Sequence, residues 1–299
     1  MSDAVKYIDR NSGEICTENV MGDAALKFAY NTLLGRSLWG LLFGTGVLSS
    51  LMGKYYDSTF SAKNIKSLVK IPGLNADEAE KPWDSYKSFN DFFTRKLKPG
   101  LRPYSSDPEI LVSPSDGRLR FFCDIEKSQK IPVKGALRSL EELCKMPLDG
   151  KKYHAAVIRL APIDYHRFHF PCDSVQKELP RKIKGKYHSV NPIAFKKSPD
   201  LLVENTRSVT SLESEVFGNF FYLEIGAFGV GSIIHTATTV GNFSKMDEKG
   251  FFKFGGSTVI LLFDAEKLEP DADLKQNSVN GFETLIRCGE RIGCLKKNH

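Results

Sequence analysis

From about residue 110 onward the chain is a succession of short apolar runs, and these limit its fold more than any other feature. They are Ile110-Leu111-Val112, Leu119-Arg120-Phe121-Phe122, His154 to Leu160, Phe220 to Ile225 and Thr258 to Phe263. Each is rich in aromatic or β-branched residues and is bounded by Gly, Pro or Asp, the composition of strands closed by turns. This half predicts a mostly antiparallel β-rich body, with one helix near Ser139–Cys144 and another near Gly281–Ile292. Upstream the spacing changes. Phe89, Phe92, Phe93 and Leu97 fall at i, i+3, i+4 and i+8, one face of a helix within Lys81–Pro103, and Lys98-Pro99-Gly100 ends it. Helices first and strands afterwards make an α+β chain. It divides into an N-terminal helical region, residues 1–80, and a β-rich body, residues 81–299.

The first twenty residues are polar and predict a short hairpin or tail, because Asp9-Arg10-Asn11-Ser12-Gly13 is turn chemistry. Leu33 to Met52 is unusually apolar and approaches spanning length, but Arg36 and the glycines within it weaken the case for a membrane-crossing helix. A buried core helix fits this stretch. So does a helix lying in a bilayer interface, with Trp39, Leu42 and Phe43 immersed and Arg36 and Lys54 at the headgroups.

Net charge is +6, which suits an acidic surface of lipid or nucleic acid. No nucleic-acid recognition motif or Arg-rich helix is present, so a nucleic-acid partner is not expected. The six cysteines are scattered without a C-x-x-C pair, so free thiols are expected rather than a disulfide framework or a zinc site. Met1 to Val5 lacks the apolar core of a secretory signal.

Three stretches hold polar residues that ordinary strands do not need. In Ser113-Pro114-Ser115-Asp116-Gly117, the aspartate can simply support a turn. In Asp164-Tyr165-His166-Arg167-Phe168-His169, two histidines stand three apart among aromatics. On a flat strand they face opposite ways, so one site can use both only where the backbone bends. Two structural histidines are the plain alternative, and no metal is expected because no third ligand accompanies them. The third stretch is Phe254-Gly255-Gly256-Ser257-Thr258, which alone reads as a tight bend between strands. Ser257 lies outside a G-x-S-x-G elbow. Yet Asp, His and Ser together are the constellation that activates a serine oxygen, and a preceding glycine lets that oxygen approach its own backbone carbonyl.

These pieces, in this order, resemble the phosphatidylserine decarboxylases. The resemblance runs from roughly residue 81 to 292. It is carried by Phe89-Asn90-Asp91-Phe92-Phe93-Thr94-Arg95, Pro114-Ser115-Asp116-Gly117, Asp164 to His169, Val190-Asn191-Pro192, Gly226 to Ile233, Lys249-Gly250 and Phe254 to Val259. Each piece is weak alone; the ordered set is specific. Many bacterial members carry Leu-Gly-Ser-Thr at the cut, whereas this chain has Gly-Gly-Ser-Thr, which leaves the chemistry intact and the subfamily open.

The resemblance implies a proenzyme that cuts itself between Gly256 and Ser257 and turns Ser257 into a covalent pyruvoyl cofactor. It places the self-processing triad on Asp116, His169 and Ser257, with His169 taking the Ser257 proton and Asp116 orienting His169. His166 is implied as the proton donor in the decarboxylation that follows. The substrate is phosphatidylserine in an anionic membrane and the product phosphatidylethanolamine. The partners are then that membrane, the two cleaved chains 1–256 and 257–299 held together, and a second copy in a homodimer. The apolar 33–52 stretch and the positive balance fit attachment at the cytoplasmic face of a cell membrane. Decarboxylation of a soluble amino acid, an unprocessed homologue and a serine hydrolase are the rival readings. Against them stand the apolar stretch, the intact Asp116, His169 and Ser257, and the missing elbow.

Overall fold

The computed structural model describes residues 5–18, 47–129, 131–133, 136–185, 206–226, 233–255 and 257–297. The described strands are β1 Lys6–Asp9, β2 Ile15–Thr17, β3 Ile110–Val112, β4 Gly117–Glu126, β5 Ile131–Val133, β6 Ala136–Arg138, β7 Lys152–Leu160, β8 Arg167–His169, β9 Ser174–Gln176, β10 Arg181–Ile183, β11 Arg207–Ser214, β12 Gly218–Gly226, β13 Ile233–His235, β14 Gly241–Phe243, β15 Glu248–Phe252, β16 Ser257–Asp264, β17 Leu268–Pro270, β18 Glu283–Ile286 and β19 Arg291–Leu295. The α-helices are α1 Val47–Asp57, α2 Ile65–Val69, α3 Phe89–Phe93, α4 Leu140–Cys144 and α5 Ala272–Val279.

All five apolar runs are strands. The main sheet has 11 strands in the order β14-β9-β11-β12-β16-β7-β4-β18-β1-β2, with β10 beside β11. Its pairings are antiparallel except β1 with β18. The central runs are apolar on both faces along most of their length because both faces are covered. Ala155, Val157, Ile260 and Leu262 pack on one side, against Leu140 and Leu143 of α4. Ala156, Ile158, Val259, Leu261 and Phe263 pack on the other, with Phe168 and Phe252 from a second sheet, β13-β15-β8. This alternation is the two-residue period of a strand read on both faces.

In that second sheet Gly250 sits where no side chain fits. A Cβ there would lie 2.2 Å from the Ile234 carbonyl oxygen and 2.7 Å from the Phe168 ring. Gly250→Ala is therefore expected to destabilise the protein by about 1–3 kcal/mol or more, the cost of overpacking a filled core. Urea unfolding checks this, and a midpoint equal to the parent's would count against it.

Several expectations need correction. The stripe Phe89-Phe92-Phe93-Leu97 is not one helix. Ser88 caps α3, and the Thr94 hydroxyl closes it on the Asn90 carbonyl at 2.8 Å. Leu97 then pairs as a bridge with Ala79, drawn there by Glu80 N–H to Lys96 O and Lys98 N–H to Glu78 O, both 2.9 Å. The helix expected over Gly281–Ile292 lies earlier, at α5, and 283–286 and 291–295 are strands. Burial in β18 alternates half-buried and buried, the period of a strand. The helix expected near Ser139 is α4, with Ser139 and Glu142 forming a capping box.

The first eighty residues are not wholly helical. The 6–17 hairpin forms as expected, with Asp9 holding the turn through the Asn11 and Ser12 amides, but β1 joins the main sheet beside β18. Of the 33–52 stretch, residues 33–46 lie outside the described residues, and Val47–Met52 begins α1. Among the described residues no helix is long and apolar enough to cross a membrane. All six cysteines are free thiols.

Candidate active site

The site is built where the main sheet, the β13-β15-β8 sheet and α3 meet. Ser257 opens β16, between Leu160 of β7 and Gly226 of β12. Its side chain is buried at 1 % exposure, and among the described residues its hydroxyl has no hydrogen-bond partner. An unpaired buried hydroxyl costs free energy, so it needs a reason to be there. Gly255 has φ +150°, a backbone that side-chain-bearing residues rarely adopt. Gly256, Val190-Asn191-Pro192 and residues 227–232 lie outside the described residues.

His166 sits in the bend before β8 and is fully buried. Its carbonyl accepts from Phe252 N–H at 2.9 Å, and its ring lies 3.9 Å from that of Phe93. Phe93 also meets Phe254, whose N–H donates to Asn90 Oδ1 at 2.9 Å. The Phe89-Asn90-Phe93 piece thus wedges α3 between His166 and the residues leading to Ser257. Burial pushes the His166 pKa down to about 3, only partly offset by the Asp164 carbonyl. His166 Nδ1 is 2.9 Å from that carbonyl oxygen, which can only accept. Nδ1 therefore carries the ring proton, and Nε2 is bare and, among the described residues, unpartnered.

His169 has other surroundings. It ends β8, stacks on Tyr165 with ring centroids 5.9 Å apart, and borders a cleft of about 320 Å³ with Lys96, Lys98, Arg102 and Cys288. Burial pushes its pKa below the ordinary histidine value, against the pull of nearby Glu248. It is therefore a neutral imidazole at neutral pH.

Asp116 comes from the turn between β3 and β4. That turn is tied to β8 by His169 N–H to Pro114 O at 2.9 Å, and to the β18–β19 turn by Ser113 N–H to Glu290 O at 2.7 Å. The carboxylate accepts from Arg102 Nε at 2.9 Å, Arg102 Nη2 at 2.6 Å and Cys288 N–H at 2.8 Å. Cys288 Sγ stands 3.3 Å from His169 Nδ1. Asp116 and His169 are thus neighbours through Cys288, while the described contacts of His169 do not include Ser257.

Arg102 and Cys288 lay outside the residues that the sequence marked. Lys249, marked in the sequence only as part of the Lys249-Gly250 piece and given no role there, is fully buried and bonded to the equally buried Glu224, with Thr210 Oγ1 at 3.0 Å. Burial alone would raise the Glu224 pKa, but the Lys249 charge holds it below the ordinary range. Among the described residues no group of three or more His, Cys, Asp or Glu side chains is placed to hold a metal ion.

Comparison with known proteins identifies the family. The family model described as phosphatidylserine decarboxylase matches residues 89–294. A phosphatidylserine decarboxylase proenzyme of Clostridium novyi is 42 % identical over 292 residues, covering 97 % of this chain and 99 % of that protein. Proteins of the same name from Fusobacterium nucleatum and Chlamydia pneumoniae are each 40 % identical, with 97 % and 96 % of this chain covered and the same shares of those proteins. With its strand framework, its buried Ser257 and these relatives along nearly its whole length, the chain belongs to the phosphatidylserine decarboxylase family, enzymes of the lyase class.

Proposed function

We propose that this chain decarboxylates phosphatidylserine to phosphatidylethanolamine, using a pyruvoyl group that it makes from Ser257 by cutting itself between Gly256 and Ser257. The observation that carries this reading is the Ser257 hydroxyl, buried and unpartnered at the head of β16. That the relatives are proenzymes supports the same reading. The surroundings fit a pyruvoyl group at position 257. Phe254, three residues before Ser257, packs on Phe93, whose ring meets that of His166, and among the described residues His166 Nε2 is a second buried polar atom without a partner. Such a group supplies an electron sink for the departing carboxylate.

The chain's own residues do the rest. The Ser257 oxygen adds to the Gly256 carbonyl carbon and its proton passes to a base. His169 suits that part because it is neutral and Nε2 can be its free nitrogen, provided the hydroxyl comes within about 2.6–3.2 Å. Asp116 holds the surroundings of His169. His166 is the candidate for returning a proton to the product, and its bare Nε2 has to receive that proton first.

Two expectations follow from His169. His169→Ala should slow self-cleavage by about 10²–10⁴-fold, the usual worth of a positioned base. In the parent, cleavage should hold its rate as the pH falls through 6.5, because burial lowers the His169 pKa below that value and keeps the base form present. A cleavage rate that halves at or above pH 6.5 would speak against His169 as the base.

Attachment to an anionic membrane belongs to the same proposal. Leu51, Tyr55 and Phe60 expose 57 %, 40 % and 79 % of their surface on α1 and the turn after it, among the exposed Lys54, Lys63 and Lys66. Burying a large apolar side chain is worth about 1.5–3 kcal/mol. Leu51→Ser with Phe60→Ser should therefore weaken binding to phosphatidylserine vesicles by about a hundredfold while cutting proceeds. Cosedimentation equal to the parent's would remove this face from the account.

A further inference from the structure

Cys288 stands between the two residues that self-processing chemistry would join. Its backbone N–H donates to Asp116 Oδ1 at 2.8 Å, and its Sγ is 3.4 Å from the Pro114 carbonyl oxygen and 3.3 Å from His169 Nδ1. The Asp116 carboxylate is further engaged by Arg102, which also reaches Glu78 at 3.0 Å. The chain of contacts is thus Glu78–Arg102–Asp116–Cys288–His169, with the thiol touching the imidazole.

The chemistry of these atoms fixes the direction of the bonds. A carbonyl oxygen only accepts, so the thiol hydrogen points at Pro114 and the sulfur offers a lone pair to Nδ1. The Pro114 carbonyl also lies close enough to the His169 ring to favour its protonated form. With the thiol hydrogen on Pro114, Nδ1 faces the sulfur lone pair and carries the hydrogen, which leaves Nε2 as the basic nitrogen. Cys288 is 1 % exposed, and burial pushes its thiol well above its ordinary value. It remains a neutral thiol, without the thiolate that a nucleophile needs.

We infer that Cys288 is the positioning residue of His169: its sulfur holds the ring in the Nδ1–H tautomer, and Asp116 acts on the histidine through the Cys288 backbone rather than by direct contact. This rests on the reading of His169 as the base in self-cleavage. Among the described contacts Cys288 does not meet Ser257; its effect passes through the imidazole.

The test uses the full-length chain and three variants. Cys288→Ala and the space-filling Cys288→Val remove the sulfur. Cys288→Ser keeps a group that donates to Pro114 and accepts from Nδ1. Self-cleavage is expected to slow by at least about tenfold in the Ala and Val variants, since a base in the wrong tautomer loses its function, and to stay within about threefold of the parent in the Ser variant. The acid limb of the cleavage-rate profile should move in Ala and Val but not in Ser. Nitrogen-15 shifts of the His169 ring, read in a Ser257→Ala background that stays uncut, should show the Nδ1–H tautomer with Cys or Ser at 288 and a mixture with Ala or Val. Circular dichroism identifies any variant that fails to fold, and the Val variant then stands in for Ala. Parental rate, pH profile and tautomer in a folded Ala or Val variant would overturn the inference. If the parent itself is never cut at residue 257, the functional reading fails, and the ring shifts still decide the role of Cys288.

Discussion

Ser257→Ala should yield a folded protein that is neither cut nor active. Without Oγ nothing adds to the Gly256 carbonyl, so the loss is complete rather than graded. The variant should not pay for this in stability. Among the described residues the parent hydroxyl is buried with no partner, and an unsatisfied buried polar group costs about 1–3 kcal/mol. Replacing it by a methyl group removes that cost and opens only a small void. Ser257→Ala should therefore unfold in urea at or above the midpoint of an uncut His169→Ala control. Complete loss of function without loss of stability marks a residue kept for chemistry against the interest of the fold. A Ser257→Ala protein that is still cut would show that the attacking oxygen lies elsewhere.

The largest expected effect on stability belongs to the Lys249–Glu224 pair. Both side chains have 0 % exposure, and the ammonium also lies 4.7 Å from the centre of the Tyr222 ring. Lys249→Met leaves the Glu224 carboxylate buried without its cation, with His235 Nε2 3.5 Å away as the remaining nearby partner. Breaking a buried pair in this way costs about 3–5 kcal/mol. Changing both residues together to Met and Leu should recover most of that loss, because the attraction of a buried pair largely offsets its own desolvation. Urea titration of the single and double variants in the Ser257→Ala background separates these terms without interference from cutting. A single variant within 1 kcal/mol of its parent, a difference of about fivefold in the folding equilibrium, would show that the pair contributes little.

The β body was legible because each strand carries its own signal. The runs at 154–160 and 258–263 are apolar on both faces, and turn residues close them. Helices were less legible where the same residues serve two periods. Phe89, Phe92 and Phe93 do share a helical face, but the signals that stop α3 after Phe93 are a Thr94 hydroxyl and a bridge to Ala79, and the second is a pairing at a distance. At 281–292 apolar residues fit a helix about as well as two short strands, and the partners β4 and β3 decide for strands. The site divides in the same way. Asp116, His166, His169 and Ser257 stand in local motifs. Arg102, Cys288 and Glu224 are ordinary residue types in ordinary runs, and Lys249 stands in the Lys249-Gly250 piece without a role; each gains its meaning from a partner at least fourteen positions away, such as Asp116 for Arg102 and for Cys288.

The most direct test of the account is intact mass spectrometry of the purified protein before and after treatment with hydroxylamine. The account predicts two chains, one ending at Gly256 and one starting at position 257. The second should lack a free N-terminal amine and gain the mass of an oxime, because its first residue is a ketone. A single 33.5 kDa chain that is untouched by hydroxylamine and yet decarboxylates phosphatidylserine would contradict it.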